Sequence, residues 1–368
     1  VREMRRMDDS FEFVGIGGRH MRDAGVKLLA DSTTWGSIGM LESFIKGLSI
    51  YPVVRRLGRM FAAEKPDLFV PVDYRVFNMR AARIAKGMGI PVVYFFAPVS
   101  WFGSGGKRFR AIAETVDLAL AALPISLEGY RAAGARFEYI GHPLVDTVKP
   151  SMAKEEALRF FGLDAGGPVI GLMPGSRQQE VVRLMPVYAA AAERIRSAAP
   201  SAQFIAFRAA ESLDPLIRRP AAKARIIVAG ERLYDFMNVA DVLIVCSGTA
   251  THEAALMRKP MVVCYKLSAV TAWLVRKTVD PPMIALPNIL AEKFIVPELV
   301  QEECTPDAVA GKTIEILSSD EIRIRMMDRL GEITRKMGVP GVLSRAARLV
   351  ADAAYGKFPD TQSWSGNA

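Results

Sequence analysis

The chain has 368 residues, of which 51% are hydrophobic and 24% charged, and its formal net charge at pH 7 is +9. This length and apolar content suit two globular domains, and no window has the roughly 18 uninterrupted apolar residues of a membrane-spanning helix. The positive charge favours an anionic partner, which could be nucleic acid, an anionic lipid surface or a phosphorylated substrate. The 3 cysteines fit no disulfide framework, which indicates a reducing compartment.

Short strand-forming runs alternate with helix-period stretches in the first part of the chain. The runs cover residues 11–16, 67–72, 91–96, 117–123 and 137–140. Strands separated by helices predict a parallel sheet with crossover connections. The segment HPLVDTVKPSMAKEEA (142–157) then interrupts the alternation with two prolines. We therefore expect the first domain to cover residues 1–148.

A second series of strand-forming runs follows this boundary. It covers residues 168–173, 203–207, 225–229, 241–246 and 260–265. The series predicts a second domain at 149–340, a C-terminal helix at 341–356 that could return to the first domain, and a loose tail at 357–368. The predicted fold class is α/β, with two doubly wound Rossmann-like domains whose strand ends face a common cleft.

The stretch DVLIVCSGTATHE (241–253) has a strand pattern that ends on Ser247, Gly248 and Thr249, just before a helix that contains Glu253. Small side chains let an anion reach the N–H groups of a helix start, where the helix dipole also favours negative charge. The pattern indicates a diphosphate site, with Glu253 placed to accept hydrogen bonds from a ribose. The alternative is an ordinary helix cap followed by a first-turn glutamate.

The stretch MPGSRQQE (173–180) also connects a predicted strand to a helix. Gly175 and Ser176 allow a tight turn, and the planar guanidinium of Arg177 suits phosphate oxygens. The alternative is a simple turn with a solvated arginine. Two strand ends in one domain that both suit anions favour a nucleotide site.

Asp73 ends the run LFVPVD, where a carboxylate could take a proton from an attacking hydroxyl or could cap the helix that begins near Val76. His142 could contact a ligand or fasten the hinge between the domains, and we favour the hinge. His20 and His252 show no metal-ligand spacing with each other or with the cysteines, and no D-x-D motif occurs. The sequence therefore predicts no metal site and no cofactor.

Seven segments, taken in this order, resemble the lipid-A-disaccharide synthase family. They are FVGIGGRHM (13–21), KPDLFVPVDYRVFN (65–78), YIGHPLVD (139–146), MPGSRQQEV (173–181), CSGTATHEAAL (246–256), KPMVVCYKL (259–267) and LPNILAEKFIVPELVQEECTP (286–306). The resemblance extends from about Phe11 to about Leu349. The order of PGSR, SGTA, PMVV and then LPN with VPEL makes it specific.

The resemblance implies a two-domain glycosyltransferase of the GT-B type that inverts the anomeric centre of the transferred sugar. It implies that the chain joins UDP-2,3-diacylglucosamine to 2,3-diacylglucosamine 1-phosphate, forms the β-1,6 disaccharide of lipid A and releases UDP. The first domain would then bind the acyl-sugar phosphate acceptor, and the second domain would bind the UDP-sugar donor.

The resemblance also assigns roles to individual residues. Those expected to contact the donor are Gly175, Ser176, Ser247, Gly248, Thr249, Ala250 and Glu253. Arg177 would stabilise the departing diphosphate, and Asp73 would be the general base for the acceptor 6-hydroxyl. Further site candidates, with less defined roles, are Gly17, Gly18, Asn78, Trp101, His142, Asn288 and Gln301.

Three departures from the family pattern are informative. The segment APVSWFGSGGKRF (97–109) replaces an aromatic SPSVWAW-like segment and leaves the acceptor contacts there undetermined. The sequence DYRVFN (73–78) replaces DAPDFN. The AGExSGD strand and loop of the family are absent, so we expect an incomplete first domain and about 25 to 30 further residues encoded upstream of Val1.

Residues 38–60 are apolar on more than one helical face and include Lys46, Arg55, Arg56 and Arg59. An acylated substrate and this composition favour contact with an anionic leaflet, although a core helix with a basic edge has the same composition. The expected location is cytoplasmic, peripheral on the inner face of the inner membrane of a Gram-negative type bacterium. A homodimer is one candidate assembly.

Three other functions are alternatives. A peptidoglycan N-acetylglucosaminyltransferase or a UDP-N-acetylglucosamine 2-epimerase would also keep a nucleotide site in the second domain, but the GGS and GG glycines of the former and the clustered acids of the latter are not found. The third is a noncatalytic nucleotide-binding or lipid-binding protein. Nucleic acid is not a predicted partner, because the basic residues are not clustered with stacking aromatic residues.

Overall fold

The computed structural model describes residues 1–31, 47–99, 105–268 and 283–360. The chain divides into two compact units. Unit 1 comprises Val1–Asp146 and Met337–Ala368, and unit 2 comprises Thr147–Lys336. The chain therefore leaves unit 1 after Asp146 and returns to it at Met337.

Helices and short parallel strands alternate along both units. The described strands are β1 (Val14–Gly17), β2 (Lys27–Asp31), β3 (Val93–Phe95), β4 (Leu118–Ala121), β5 (Phe137–Tyr139), β6 (Val169–Met173), β7 (Gln203–Phe207), β8 (Ile227–Ala229), β9 (Val242–Cys246), β10 (Met261–Tyr265) and β11 (Glu298–Val300).

The described α-helices are α1 (Arg2–Met7), α2 (Arg19–Asp23), α3 (Gly47–Glu64), α4 (Arg75–Gly87), α5 (Gly105–Thr115), α6 (Leu127–Ala132), α7 (Leu144–Thr147), α8 (Lys154–Phe161), α9 (Gln178–Ala198), α10 (Asp214–Lys223), α11 (Leu233–Val239), α12 (Thr249–Leu256), α13 (Leu286–Ala291), α14 (Pro306–Ser318), α15 (Asp320–Lys336) and α16 (Val342–Ala354).

The described part of unit 1 contains two parallel sheets, β1–β2 and β3–β4–β5. The predicted strand at 67–72 contributes two isolated parallel bridges, from Phe69 to Val92 and from Val72 to Phe95. Pro71 lies between these bridges and has no N–H group to donate to a neighbouring strand, so a continuous ladder does not form there. The prediction of a full strand at 67–72 is therefore wrong.

Helix α3 packs one face against the core of unit 1. Its buried residues are Val54, Leu57 and Phe61, and its exposed basic residues are Arg55, Arg56 and Arg59. This spacing places the apolar side chains on one helical face. The helix therefore matches the alternative given for residues 38–60, a core helix with a basic edge. Lys46 and the rest of residues 38–46 lie outside the described residues.

Helix α16 belongs to unit 1. The Asp146 carboxylate accepts hydrogen bonds from the N–H groups of Gly341 at 2.6 Å and Leu343 at 2.7 Å, and so caps the start of this helix. The guanidinium of Arg345 donates to the carbonyl of Ile140 at 2.9 Å. The apolar face of α16 joins the same buried cluster as Leu118.

Unit 2 is built on a six-stranded parallel sheet with the strand order β11-β10-β9-β6-β7-β8. Every residue of β6 and of β9 is buried, as expected for central strands of a parallel sheet. The chain passes from β6 through β7 to β8 on one side, and then from β9 through β10 to β11 on the other. The boundary between β6 and β9 is therefore the topological switch point, where open α/β sheets bind their ligands.

Candidate active site

The carboxyl ends of β6 and β9 lie side by side at the switch point of unit 2. Met173, the last residue of β6, is the register partner of Val245 in β9. The segments that follow these strands, 174–177 and 247–250, are the two predicted anion-binding segments. The sheet therefore brings together the two motifs that the sequence predicted as one diphosphate site.

Ser247 is held by two hydrogen bonds at the end of β9. Its N–H group donates to the carbonyl of Cys264 at 3.0 Å, and its hydroxyl donates to the carbonyl of Ile284 at 2.9 Å. The hydroxyl therefore does not act as the ordinary helix cap that was the alternative for this segment. Ser247 instead fixes the position of the turn.

The start of α12 has no side-chain cap, with Gly248 at the N-cap position. The hydroxyl of Thr251 donates to the carbonyl of Gly248 at 2.8 Å and tightens the turn. An added Cβ at Gly248 would meet no described atom within 4 Å. Among the described residues, the N–H groups of Thr249 and Ala250 thus begin a helix beside open space, which is the geometry of an anion site.

Glu253 lies in α12, one turn beyond this helix start. The hydroxyl of Tyr234 donates to its carboxylate at 3.1 Å. Burial raises the pKa of the Glu253 carboxyl above its ordinary value, and the Tyr234 hydrogen bond opposes that shift. Hydrogen bonds are stronger in such a partly desolvated environment. Glu253 can therefore accept hydrogen bonds from a sugar hydroxyl.

The turn after β6 was expected to contact the donor, but its backbone binds a carboxylate of the chain itself. The N–H groups of Ser176 and Arg177 donate to the carboxylate of Glu180 at 3.1 and 3.2 Å, and the Arg177 guanidinium donates to it at 3.0 Å. Gly175 has a φ of +117°, and an added Cβ there would lie 2.5 Å from the same carboxylate. The N–H groups of Ser176 and Arg177 are therefore occupied by an internal carboxylate, and the Arg177 side chain, which pairs with the same carboxylate, is exposed.

Asn288 is buried and its side chain makes four hydrogen bonds. It donates to Val296 and Glu298 at 2.9 and 2.7 Å, and it accepts from the N–H groups of Ile295 and Val296 at 2.8 and 3.0 Å. These bonds use its hydrogen-bonding capacity, so the structure places Asn288 as a support of α13 and not as a ligand contact.

Gln301 also makes a bond within unit 2, because its side-chain oxygen accepts from the N–H group of Leu267 at 3.3 Å. Its own φ of +53° is uncommon for a residue other than glycine. Trp101 lies outside the described residues. The described contact of the Gln301 side chain is therefore a bond within unit 2.

Asp73 lies in unit 1, directly after Val72 and before α4. It does not cap α4, whose N-cap residue is Tyr74 and which has no side-chain cap. Desolvation raises the pKa of the Asp73 carboxyl, and a hydrogen bond from the N–H group of Tyr74 opposes that shift. A carboxylate with a raised pKa is a better proton acceptor than an ordinary aspartate. The direction of this shift agrees with the predicted general-base role.

His142 is buried in unit 1, where its ring meets the edge of Phe96 at a centroid distance of 5.1 Å. The ring Nδ1 accepts from the N–H group of Leu144 at 3.2 Å, and the backbone N–H group of His142 donates to the carbonyl of Met337 at 2.7 Å. Burial lowers the pKa of His142 to about 4. These contacts join the two segments at which the chain leaves and re-enters unit 1.

The other unit 1 candidates are at the end of β1. Gly17 is the last residue of β1, where an added Cβ would collide with the side chain of Met21. Gly18 is the N-cap residue of α2. A side chain at position 17 would therefore require the Met21 side chain to move.

Sequence reasoning did not identify Glu180 or Tyr234, nor Tyr94, whose hydroxyl donates to the carbonyl of Asp73 at 2.5 Å. Glu180 had a partial signal in the sequence, because a glutamate at the third position of a helix can accept a hydrogen bond from the N–H group of the N-cap residue, here Arg177. Tyr234 and Tyr94 had no signal of this kind. Their roles depend on contacts between residues far apart in sequence, which hydrophobic periodicity does not report.

No group of three His, Cys, Asp or Glu residues in the described ranges could hold a metal ion. In the same part of the chain, no helix is both long and apolar enough to cross a bilayer.

Solved structures with similar coordinates include the glycotransferase of kitacinnamycin, with a TM-score of 0.62 and 15% identity, covering 95% of this chain and 94% of that chain. They also include a UDP-GlcNAc 2-epimerase from Neisseria meningitidis bound to UDP-GlcNAc, with a TM-score of 0.58 and 11% identity, covering 94% of this chain and 100% of that chain. Identities this low show the fold alone, which is the predicted GT-B type.

Sequence comparison shows the family. The family model described as lipid-A-disaccharide synthetase matches residues 1–347. The lipid-A-disaccharide synthase of Geobacter metallireducens is 36% identical over 354 residues, which cover 96% of this chain and 92% of that protein. The chain therefore belongs to the lipid-A-disaccharide synthase family.

Proposed function

We propose that the chain transfers a diacylglucosamine unit from UDP-2,3-diacylglucosamine to the 6-hydroxyl of 2,3-diacylglucosamine 1-phosphate, with inversion, and releases UDP. Unit 2 would bind the donor and unit 1 would activate the acceptor. The observation that supports the donor assignment best is that the two segments predicted to bind anions, 174–177 and 247–250, follow adjacent strands at the switch point of the unit 2 sheet.

On the donor side, the uncapped N–H groups of Thr249 and Ala250 would hold the diphosphate, and Glu253 would accept hydrogen bonds from the ribose. When the bond between the sugar C1 and the diphosphate oxygen breaks, negative charge develops on the leaving UDP. Arg177 would turn from Glu180 toward that charge. Stabilisation of charge that develops in the transition state is usually the largest single contribution to catalysis.

On the acceptor side, Asp73 would take the proton of the 6-hydroxyl as its oxygen attacks C1 of the donor. General-base catalysis by a positioned side chain typically contributes a factor of about 100 to 10,000. The raised pKa of Asp73 supports this role.

The assignment is tested by assaying UDP release and disaccharide formation from the two acyl-sugar substrates. Asp73→Asn is expected to lower turnover by on the order of 100-fold or more, whereas Asp67→Asn, which changes an exposed aspartate of the same segment, is the matched control. Equal turnover in the Asp73 and Asp67 variants would remove Asp73 from the mechanism. Formation of a 2-epimer of the donor sugar without disaccharide would contradict the transferase assignment.

Arg177→Ala is expected to lower kcat, because it removes roughly 3 kcal/mol of transition-state stabilisation. Arg194→Ala is its control, because Arg194 lies on the same helix and pairs with Asp307 at the surface. If Arg177→Ala and Arg194→Ala lose thermal stability to a similar extent and show no other loss, Arg177 has a structural role.

We also propose that the chain works at the inner face of an anionic inner membrane, where its acylated substrates would lie. The exposed arginines at positions 55, 56 and 59 on α3 support an electrostatic contact, since each basic residue near an anionic surface contributes about 1 kcal/mol. Replacing all three with Ser should weaken binding to anionic vesicles at low salt and leave UDP binding unchanged. Equal vesicle binding would reject the contact. Sedimentation of the same sample decides whether a homodimer forms.

A further inference from the structure

Asp73 and Tyr74 have backbone angles that are rare for their residue types. Their φ values are +47° and +26°, in the positive region that only glycine adopts easily. Two consecutive residues of this kind persist only when surrounding contacts hold them, and they occur mostly at functional sites. The turn between Val72 and α4 is therefore held by something other than local preference.

Two buried side chains hold this turn through its carbonyl groups. The Asn78 side-chain amide donates to the carbonyls of Val72 and Asp73, both at 2.8 Å. The Tyr94 hydroxyl donates to the same Asp73 carbonyl at 2.5 Å. Asn78 is 8% exposed and Tyr94 is fully buried, so water does not compete for these bonds.

These bonds determine where the Asp73 carboxylate points. The carbonyl of Asp73 belongs to the peptide plane between Asp73 and Tyr74, and fixing that plane fixes the rotation about the Asp73 Cα–C bond. The N–H group of Asp73 is also held, because it donates to the carbonyl of Phe95 at 3.3 Å. With both sides of the residue fixed, the direction of its Cα–Cβ bond is fixed as well.

Asn78 uses both amide hydrogens in these bonds and has none left to donate to a substrate. Tyr94 lies at 0% exposure under the turn and cannot touch a ligand in this arrangement. Neither side chain therefore has a donor free for the reacting atoms, because both donate to the backbone of the turn.

We propose that Asn78 and Tyr94 are positioning residues that hold the Asp73–Tyr74 turn in its left-handed conformation and so aim the Asp73 carboxylate. This inference rests on the proposed general-base role of Asp73. It replaces the expectation of Asn78 as a direct contact, and it assigns to Tyr94 a role that its sequence position did not indicate.

The first test is Tyr94→Phe, which removes only the hydroxyl and keeps the buried ring. We expect kcat to fall by about 10-fold or more, because small misplacements of a reacting group are costly, while UDP affinity and the KM for the donor stay unchanged. The matched control is Tyr130→Phe, since Tyr130 is equally buried in unit 1 and donates to the carbonyl of Pro98 at 2.7 Å. A purely structural role predicts similar losses of stability and no difference in kcat between the two variants.

A rescue experiment tests the backbone argument directly. Asparagine tolerates the left-handed conformation better than tyrosine does, so adding Tyr74→Asn to Tyr94→Phe should restore part of the lost kcat. Asn78→Ala should show the same loss of kcat and the same rescue. Absence of rescue in both backgrounds would overturn the proposal.

Asp73→Asn separates this proposal from the proposed function. Full turnover in Asp73→Asn would reject the general-base role itself, and the positioning proposal with it. Loss of turnover in Asp73→Asn, together with unchanged kcat in Tyr94→Phe and Asn78→Ala, would reject the positioning proposal alone.

Discussion

His142 offers a prediction that depends on a single proton. In the neutral ring, Nδ1 accepts the hydrogen bond from the N–H group of Leu144, and a protonated ring cannot accept it. The ring is 3% exposed and packs on Phe96, and burial lowers the pKa of His142 from 6.5 to about 4. Acidification should therefore weaken unit 1 at this point.

The sign and size of the effect follow from linkage between protonation and folding. A histidine whose folded pKa is depressed stabilises the fold above its unfolded pKa, and that stabilisation is lost as the pH falls toward the folded value. For pKa values of 6.5 unfolded and about 4 folded, the free energy of unfolding decreases by about 2.5 kcal/mol between pH 7.5 and pH 4.5. This is a large fraction of the stability of an ordinary domain.

The comparison variant is His142→Asn. An asparagine oxygen can accept a hydrogen bond from the N–H group two residues on, as His142 does, but it does not titrate in this range. Urea unfolding of both proteins at several pH values should show their stability difference shrinking by about 2.5 kcal/mol on acidification. The chain has only 3 histidines, so NMR can also follow the ring directly. A ring that titrates near 6.5, or a stability difference that does not change with pH, would refute the reasoning.

Three further outcomes are expected. Asn288→Ala should lower stability by about 3 kcal/mol in urea unfolding, because it leaves the N–H groups of Ile295 and Val296 without a partner; a loss below about 1 kcal/mol would contradict this. Gly175→Ala should weaken UDP binding measured by calorimetry, since its positive φ and the nearby Glu180 carboxylate both disfavour a Cβ; unchanged affinity would show that the turn tolerates movement. Turnover should survive EDTA if Arg177 supplies the positive charge, and loss restored by magnesium would oppose that role.

The sequence predicted the strands of unit 2 well because their signal is continuous. The run at 241–246 corresponds to β9, where five consecutive residues are buried. Strands β2 and β11 were missed, because β2 is only half-buried and β11 is three residues long. Periodicity detects an element only when burial imposes a regular pattern over several residues.

The sequence predicted where the candidate site lies in unit 2, but it predicted fewer of the hydrogen bonds that its residues make. The two motifs after β6 and β9 were readable because glycine and small residues at a strand end have a direct backbone meaning. The hydrogen bonds from Asn78 and Tyr94 to the Asp73 carbonyl join residues up to 21 positions apart. Such bonds depend on the tertiary fold, so the local spacing of residues in the sequence does not predict them.

The internal carboxylate at the start of α9 has a consequence for selectivity. Glu180 already binds the N–H groups of Ser176 and Arg177, so an incoming anion has to compete with it. Under the proposed function, inorganic phosphate would lack the uridine and sugar contacts that offset this competition, whereas a whole nucleotide sugar would make them. A site occupied in this way would discriminate against small free anions. Neutralising Glu180 to tighten donor binding would consequently expose the enzyme to inhibition by phosphate and by its own nucleotide product.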